Sequence, residues 1–226
     1  MSQLPVLVVP RIAERVPIDG DLNKPPWTRL APIPLAASHG RDPGNARRSV
    51  QPTALRVCHD GARLYVAFDC TDRDAWGTHE GRNHPIYEEE VVEAFFAPGR
   101  DPRRYFELES SPRGAWWEGA IDNPDGRRAT MRTDLDWVCA GWERAVRVRG
   151  TLGEPGAGSE GWSVEWAIPF AALAAAPPQP GERWRANFYR IDRPRGGTPE
   201  FSSWAPTFAE PAEFHAPARF GVLELG

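Results

Sequence analysis

Three glutamates set the chemical question. Residues 85–98 read Pro-Ile-Tyr-Glu-Glu-Glu-Val-Val-Glu-Ala-Phe-Phe-Ala-Pro. The second half predicts a short strand, because Val91, Val92, Phe95 and Phe96 suit a pleated surface and Pro98-Gly99 stops it. Alternation puts Val92, Ala94 and Phe96 on one face and Val91, Glu93 and Phe95 on the other. Residues 105–109, Tyr-Phe-Glu-Leu-Glu, repeat the pattern, with Tyr105, Glu107 and Glu109 opposed to Phe106 and Leu108. If the two strands pair antiparallel, one half-apolar face collects Glu93, Glu107 and Glu109 beside Tyr105 and Phe95. Carboxylates gathered there repel one another unless an arginine, a metal ion or a polyhydroxylated ligand meets them. Pairing with arginine across the sheet and a ligand network open at one end both remain available. Arg190 or Arg185, on a strand expected in the same sheet, is the expected fixed partner of Glu93.

The elements that must hold these side chains are short strands. Residues 4–9 predict an edge strand, and 27–35, with Pro32 and Pro34, an extended edge or loop. Residues 53–70 read as a hairpin turning at Asp60-Gly61, with Val57 facing Leu64, Leu55 facing Val66 and Cys58 opposite Arg63. Residues 39–50 and 71–84 are polar loops; the second carries Trp76, a lid over the core or a ligand platform. Trp116 and Trp117 must face opposite sides of a strand, so at most one is core. In 161–170, Trp162, Val164, Trp166 and Ile168 share a face, and a short helix is expected over 171–176. In 182–191, Trp184, Ala186 and Phe188 oppose Arg185, Asn187 and Tyr189; a last strand is expected at 220–225. Many short strands, plentiful turns and one short helix predict an all-β antiparallel sandwich of two packed sheets, a single domain over 1–226.

Composition narrows the partners. A net charge of −4 argues against nucleic acid as the main partner. Ten tryptophans, in contrast, supply many flat apolar faces for stacking. Cys58, Cys70 and Cys139 have no metal spacing and read as buried, reduced thiols. No apolar run is long enough to span a membrane, and residues 1–10 are too short and proline-interrupted for a signal peptide core. The expected location is therefore cytoplasmic, or secreted if a native signal was trimmed.

One ordered set of segments carries a family resemblance. It comprises Ile18-Asp-Gly20 with Trp27, residues 60–66 (Asp-Gly-Ala-Arg-Leu-Tyr-Val), 87–93 (Tyr-Glu-Glu-Glu-Val-Val-Glu), 161–170 (Gly-Trp-Ser-Val-Glu-Trp-Ala-Ile-Pro-Phe), 181–190 (Gly-Glu-Arg-Trp-Arg-Ala-Asn-Phe-Tyr-Arg) and Phe220-Gly221. The chain resembles a family 9 carbohydrate-binding module, among the sugar-binding relatives of the DOMON-like β-sandwiches, and in particular that family's single-domain members. The resemblance implies sugar binding without catalysis, the partner being an oligosaccharide or polysaccharide end held between two aromatic rings over a polar face. Tyr87, six residues before Glu93, and Trp204 match the two rings. The family's arginine and asparagine on the next strand fall near Glu109 and Ser111, a departure. The implied sugar site thus takes in Tyr87, Glu93, Glu107, Glu109, Ser111, Asn187, Arg190, Trp204 and Trp76. The resemblance also implies structural calcium, for which Asp19, Asp21, Asp122 and Asp125 are turn oxygens. Two alternatives stand beside it. A glycan hydrolase would use Glu93 with Glu107 or Glu109. A haem- or metal-binding DOMON-like domain would need a His/Met pair on a strand, and none is evident.

Overall fold

The computed structural model describes residues 3–38, 51–99, 101–153, 158–174 and 176–226; the loop read at 39–50 lies outside them. Two sheets stack face to face. The larger runs β1 (Val6–Val9), β14 (Gly221–Leu225), β12 (Arg183–Asp192), β6 (Val91–Ala97), β7 (Arg104–Ser110), β8 (Trp116–Asp122) and β9 (Arg132–Asp134), with β13 (Glu200–Ser203) and β3 (Ala36–Ala37) branching from β12. The smaller runs β10 (Glu143–Arg149), β11 (Gly161–Pro169), β5 (Arg63–Thr71), β4 (Thr53–His59) and β2 (Ile33–Pro34). The predicted helix is a single turn, α1 (Phe170–Leu173), which starts earlier and is shorter than 171–176. This is the all-β sandwich that the strand pattern predicts.

The alternation explains how the sheets pack. Val92, Ala94 and Phe96 of β6 and Trp184, Ala186 and Phe188 of β12 point inward, where they meet Phe68, Trp162, Val164 and Trp166 of the smaller sheet. Burying each of the valine and phenylalanine side chains among them is worth roughly 1.5–3 kcal/mol. The rings interlock edge to face, Phe68 with Trp166 at 5.4 Å and with Phe188 at 6.2 Å between centroids. The opposite face of the larger sheet has a second apolar cluster, with Val91, Phe95, Tyr105, Trp117 and Tyr189 covered by Phe214 and Phe220 from the C-terminal part of the chain. A sheet with both faces largely covered needs apolar residues at odd and even positions, and all of β6 is buried.

A third cluster pins the N-terminal segment to the outside of the smaller sheet. Glu165, fully buried, accepts from the backbone N–H groups of Asp19 (2.9 Å) and Gly20 (2.6 Å), from Trp27 Nε1 (2.5 Å) and from Lys24 Nζ (2.9 Å). That is why the Ile18-Asp-Gly turn, Trp27 and the chain's lone lysine belong together.

Two expectations of register and partner are corrected. The 53–70 hairpin turns one residue later than Asp60-Gly61: His59 pairs with Leu64, so four residues, 60–63, lie between the paired ends. Asp60 N donates to Arg63 O at 3.1 Å, the Asp60 carboxylate accepts from the N–H of Ala62 and of Arg63, both at 2.7 Å, and Gly61 takes φ +93°. Moving the centre of the turn by one residue moves the register by two, so Val57 pairs with Val66, Leu55 with Phe68 and Cys58 with Tyr65. A shift of two keeps each side chain on its face. Cys58 and Cys70 belong to clusters on opposite faces of this sheet, and all three cysteines are free and buried. The second correction concerns Arg190. It has the parity of Phe188, so it points between the sheets and cannot reach Glu93.

Candidate functional site

The larger sheet carries the site on its outer face. Pairing of β6 with β7 sets Glu93 opposite Glu109 and Phe95 opposite Glu107; pairing of β7 with β8 sets Glu109 opposite Trp117 and Glu107 opposite Gly119. A side chain at 119 would strike the Trp117 ring, 2.7 Å from where its Cβ would sit, so the glycine makes room for the indole. These pairings bring the three glutamates together. One carboxylate oxygen from each lies within 4.8 Å of the other two, and each residue is at least 96% buried.

They line a cavity of about 390 Å³ whose apolar lining includes Tyr87, Trp117, Phe201 and Phe214. Tyr87 sits in a 3-10 turn, Ile86–Glu88, that leads into β6, and is the most exposed of these rings at 37%. Phe214 stacks on Tyr189, 4.2 Å between centroids, and the Tyr189 hydroxyl donates to Phe214 O at 2.9 Å, which fixes the covering segment to β12. His215 beside it bonds the Tyr105 hydroxyl through Nδ1 at 2.8 Å, with Nε2 4.0 Å from Glu107. Burial pushes the His215 imidazole down to about 3, so it is neutral at physiological pH.

The same burial acts on the carboxyls in the opposite sense. Glu107 is pushed up to about 7, first by loss of solvent. Burial and the charge of Glu107 hold Glu93 well above the usual carboxylate range, and burial with the charges of Glu93 and Glu107 does the same for Glu109. Arg128 opposes the rise in all three. Both Glu109 oxygens are buried with no donor among the described residues.

Other expected site residues fall elsewhere. Arg190, almost fully buried, donates from Nη2 to Asp72 Oδ2 at 2.9 Å, with Glu90 Oε2 at 3.6 Å and Asp192 Oδ1 at 3.7 Å; it closes a second acidic triad at the edge of the inter-sheet core. Arg185 donates to the carbonyl oxygens of Phe220 and Gly221 and anchors the covering segment. Asn187 ties down the loop after β13: its amide N–H donates to Ala205 O at 2.7 Å and its oxygen accepts from Ala205 N at 2.9 Å. Trp204 lies on the inter-sheet side, against Phe188 at 5.9 Å and over Gly221, where an added Cβ would come within 2.5 Å of its ring. It does not line the cavity. Trp76 donates from Nε1 to Arg193 O at 2.7 Å and so docks its loop on the chain after β12. Ser111 is buried near Gly77, outside the cavity lining, and its hydroxyl has no partner among the described residues.

The four aspartates proposed for calcium do not gather as a three-carboxylate set among the described residues. Asp19 is paired with Lys24, and Asp21 with Arg147 at 2.8 Å. Asp122 lies 4.0 Å from Arg104, and Asp125 is exposed. Among the described residues, the sets of three acidic groups close enough to share an ion are the two buried triads.

Sequence reasoning missed Trp117, Phe201, Phe214 and His215. Trp117 was within reach of it, since adjacent tryptophans must split between faces and Trp117 has the parity of the outer set. The other three are brought in by segments whose course no local pattern encodes.

The sheet, its covering segment and the cavity define a β-sandwich with a lined cavity on one outer face. The chain belongs to carbohydrate-binding family 9, whose model matches residues 48–225. It is 27% identical over 177 residues to an extracellular protein of Arthroderma benhamiae, covering 74% of this chain and 76% of that one. Among solved structures, it is similar to a carbohydrate-binding candidate from Bacteroides uniformis, with TM-score 0.76 and 22% identity over 99% of this chain and 100% of the other. It is also similar to a family 9 carbohydrate-binding module of Caldicellulosiruptor kristjanssonii solved with cellotriose, with TM-score 0.65 and 13% identity over 98% and 93% of the two chains. The same organism's family 9 module solved with glucose gives TM-score 0.64 and 13% identity over 98% and 96%.

Proposed function

We propose that this chain binds a carbohydrate without transforming it, in the outer-face cavity of the larger sheet. The observation that carries the reading is the lining of that cavity: aromatic rings of Tyr87 and Trp117 beside the carboxyls of Glu93, Glu107 and Glu109. Rings of this kind stack on the C–H faces of a pyranose, gaining roughly 25 cal/mol per Å² of apolar area covered. Carboxyl oxygens accept sugar hydroxyls and fix the orientation. Family membership and the sugar-bound relatives support the reading. A cavity of about 390 Å³ suits a small number of sugar units rather than a long stretch of chain, so we read the ligand as the end of an oligosaccharide or polysaccharide.

A glycan array with the purified protein, followed by a reducing-sugar assay on every glycan retained, tests both halves of the proposal. Retention without release of reducing ends is the expected result. Retention of nothing removes the binding reading, and steady release of reducing ends replaces it with a hydrolase.

A further inference from the structure

The larger sheet and its flanking loops hold two buried acidic triads, and they are finished differently. Asp72, Glu90 and Asp192 have Arg190 among them: a guanidinium, built into the chain, supplies the cation. Glu93, Glu107 and Glu109 are gathered as tightly, yet among the described residues no arginine or lysine forms an ion pair with them, and Glu107 has only the neutral His215 at 4.0 Å. Arg128 acts on them only from an exposed 3-10 turn, Arg128–Thr130, and no ion pair joins it to any of the three among the described residues. Glu109 states the deficit most sharply: it is 1% exposed and lines the cavity, and among the described residues its only side-chain hydrogen bond is one it can make to Glu107 with its own proton, with no donor supplied to either oxygen. A buried carboxyl left without a donor is costly, by about 1–3 kcal/mol, and such groups in folded proteins call for an explanation.

The lining as a whole carries the same sign. Glu88 and Glu213 join the triad, against Arg128 and Arg193, while His215 is neutral. An acidic cavity with low-dielectric walls concentrates cations. A bare ion would satisfy the triad, but it would leave the aromatic lining of Tyr87, Trp117, Phe201 and Phe214 unused. An ammonium group attached to a saccharide uses both, since it has three donors, one for each carboxylate, while its ring stacks on the aromatic faces.

We infer that the Glu93–Glu107–Glu109 triad receives the ammonium group of an amine-bearing sugar, so that the cavity selects a cationic saccharide over its neutral counterparts. The inference rests on the carbohydrate reading above and narrows it to a ligand class.

Isothermal titration at neutral pH with three disaccharides of one linkage separates the two. The probes are cellobiose, the corresponding disaccharide of glucosamine, and that of N-acetylglucosamine, in which the amine is blocked. The amine form is expected to bind at least about tenfold more tightly than either of the others, as replacing neutral by charge-assisted hydrogen bonds should produce. Glu109→Gln, which keeps the shape but cannot ionise when an ammonium group arrives, is expected to erase that preference while the melting temperature holds or rises. Equal affinity for the three sugars overturns the inference and leaves carbohydrate binding standing. Binding of none of them, together with an array that retains nothing, overturns both. Calcium chloride that binds in the absence of sugar, and no longer does so in Glu109→Gln, makes the triad a metal site and also overturns the inference.

Discussion

The buried glutamates make a quantitative statement about stability and pH. Glu107 has an ordinary value of 4.5 and is pushed up to about 7 in the native protein, chiefly by burial. Below pH 4.5 both native and unfolded chains carry the proton. As pH rises from there the unfolded chain releases it while the native chain keeps it, so the native state loses stability relative to the unfolded state until pH passes about 7. Each unit of difference is worth about 1.4 kcal/mol, so this single group removes roughly 3 kcal/mol across that window. For a chain of this length that corresponds to a fall in melting temperature of roughly 6–12 °C. Glu93, Glu109, Glu213 and Arg128 all face or act on Glu107, and the neutral His215 stands 4.0 Å away, so the whole group moves together. Glu107→Gln mimics the protonated carboxyl at every pH. Differential scanning calorimetry of wild type and variant should give coinciding melting temperatures near pH 4.5 that separate as pH rises, with the variant the more stable above pH 7. Parallel curves over the whole range would refute the assignment of a raised carboxyl to this site.

Three further outcomes follow from single contacts. Arg190→Met leaves Asp72, Glu90 and Asp192 without their buried cation and should lower stability by about 3–5 kcal/mol in urea unfolding, whereas a loss under about 1 kcal/mol would mean the triad is satisfied otherwise. Trp204→Ala empties the space over Gly221 beside Phe188 and should reduce stability by roughly 2–4 kcal/mol while leaving sugar affinity within about twofold; lost binding in a stable variant would restore Trp204 as a platform. Tyr87→Ala, in a half-exposed turn, should weaken sugar binding at least about tenfold with little change in melting temperature, because the ring is 37% exposed and contributes more to the cavity than to the core.

The legible parts of this protein are those set by local alternation. The inward face of β6, the outward glutamates of β6 and β7, and the shared face of Trp162, Val164, Trp166 and Ile168 follow from period two alone. The 53–70 hairpin was legible as a hairpin but not in register, because the Asp60 carboxylate bonds two successive N–H groups, of Ala62 and Arg63, and the turn is centred one residue later than Asp60-Gly61. Arg190 is instructive, since its parity with Phe188 already placed it between the sheets. Choosing it as the partner of Glu93 set charge complementarity above the pleat. Trp204 follows β13 in a loop, where alternation gives no direction. Its place is decided by the missing side chain of Gly221, a residue 17 positions later. Phe214 and His215 enter the cavity from a covering segment held by Arg185 and Tyr189, long-range contacts with no local signature.

A crystal structure of the protein with a saccharide taken from the array tests the location of binding most directly. The expected density is a sugar ring in contact with Tyr87 or Trp117, with polar groups within hydrogen-bond distance of Glu93, Glu107 or Glu109. A sugar bound on another surface, with this cavity filled only by water, would contradict it.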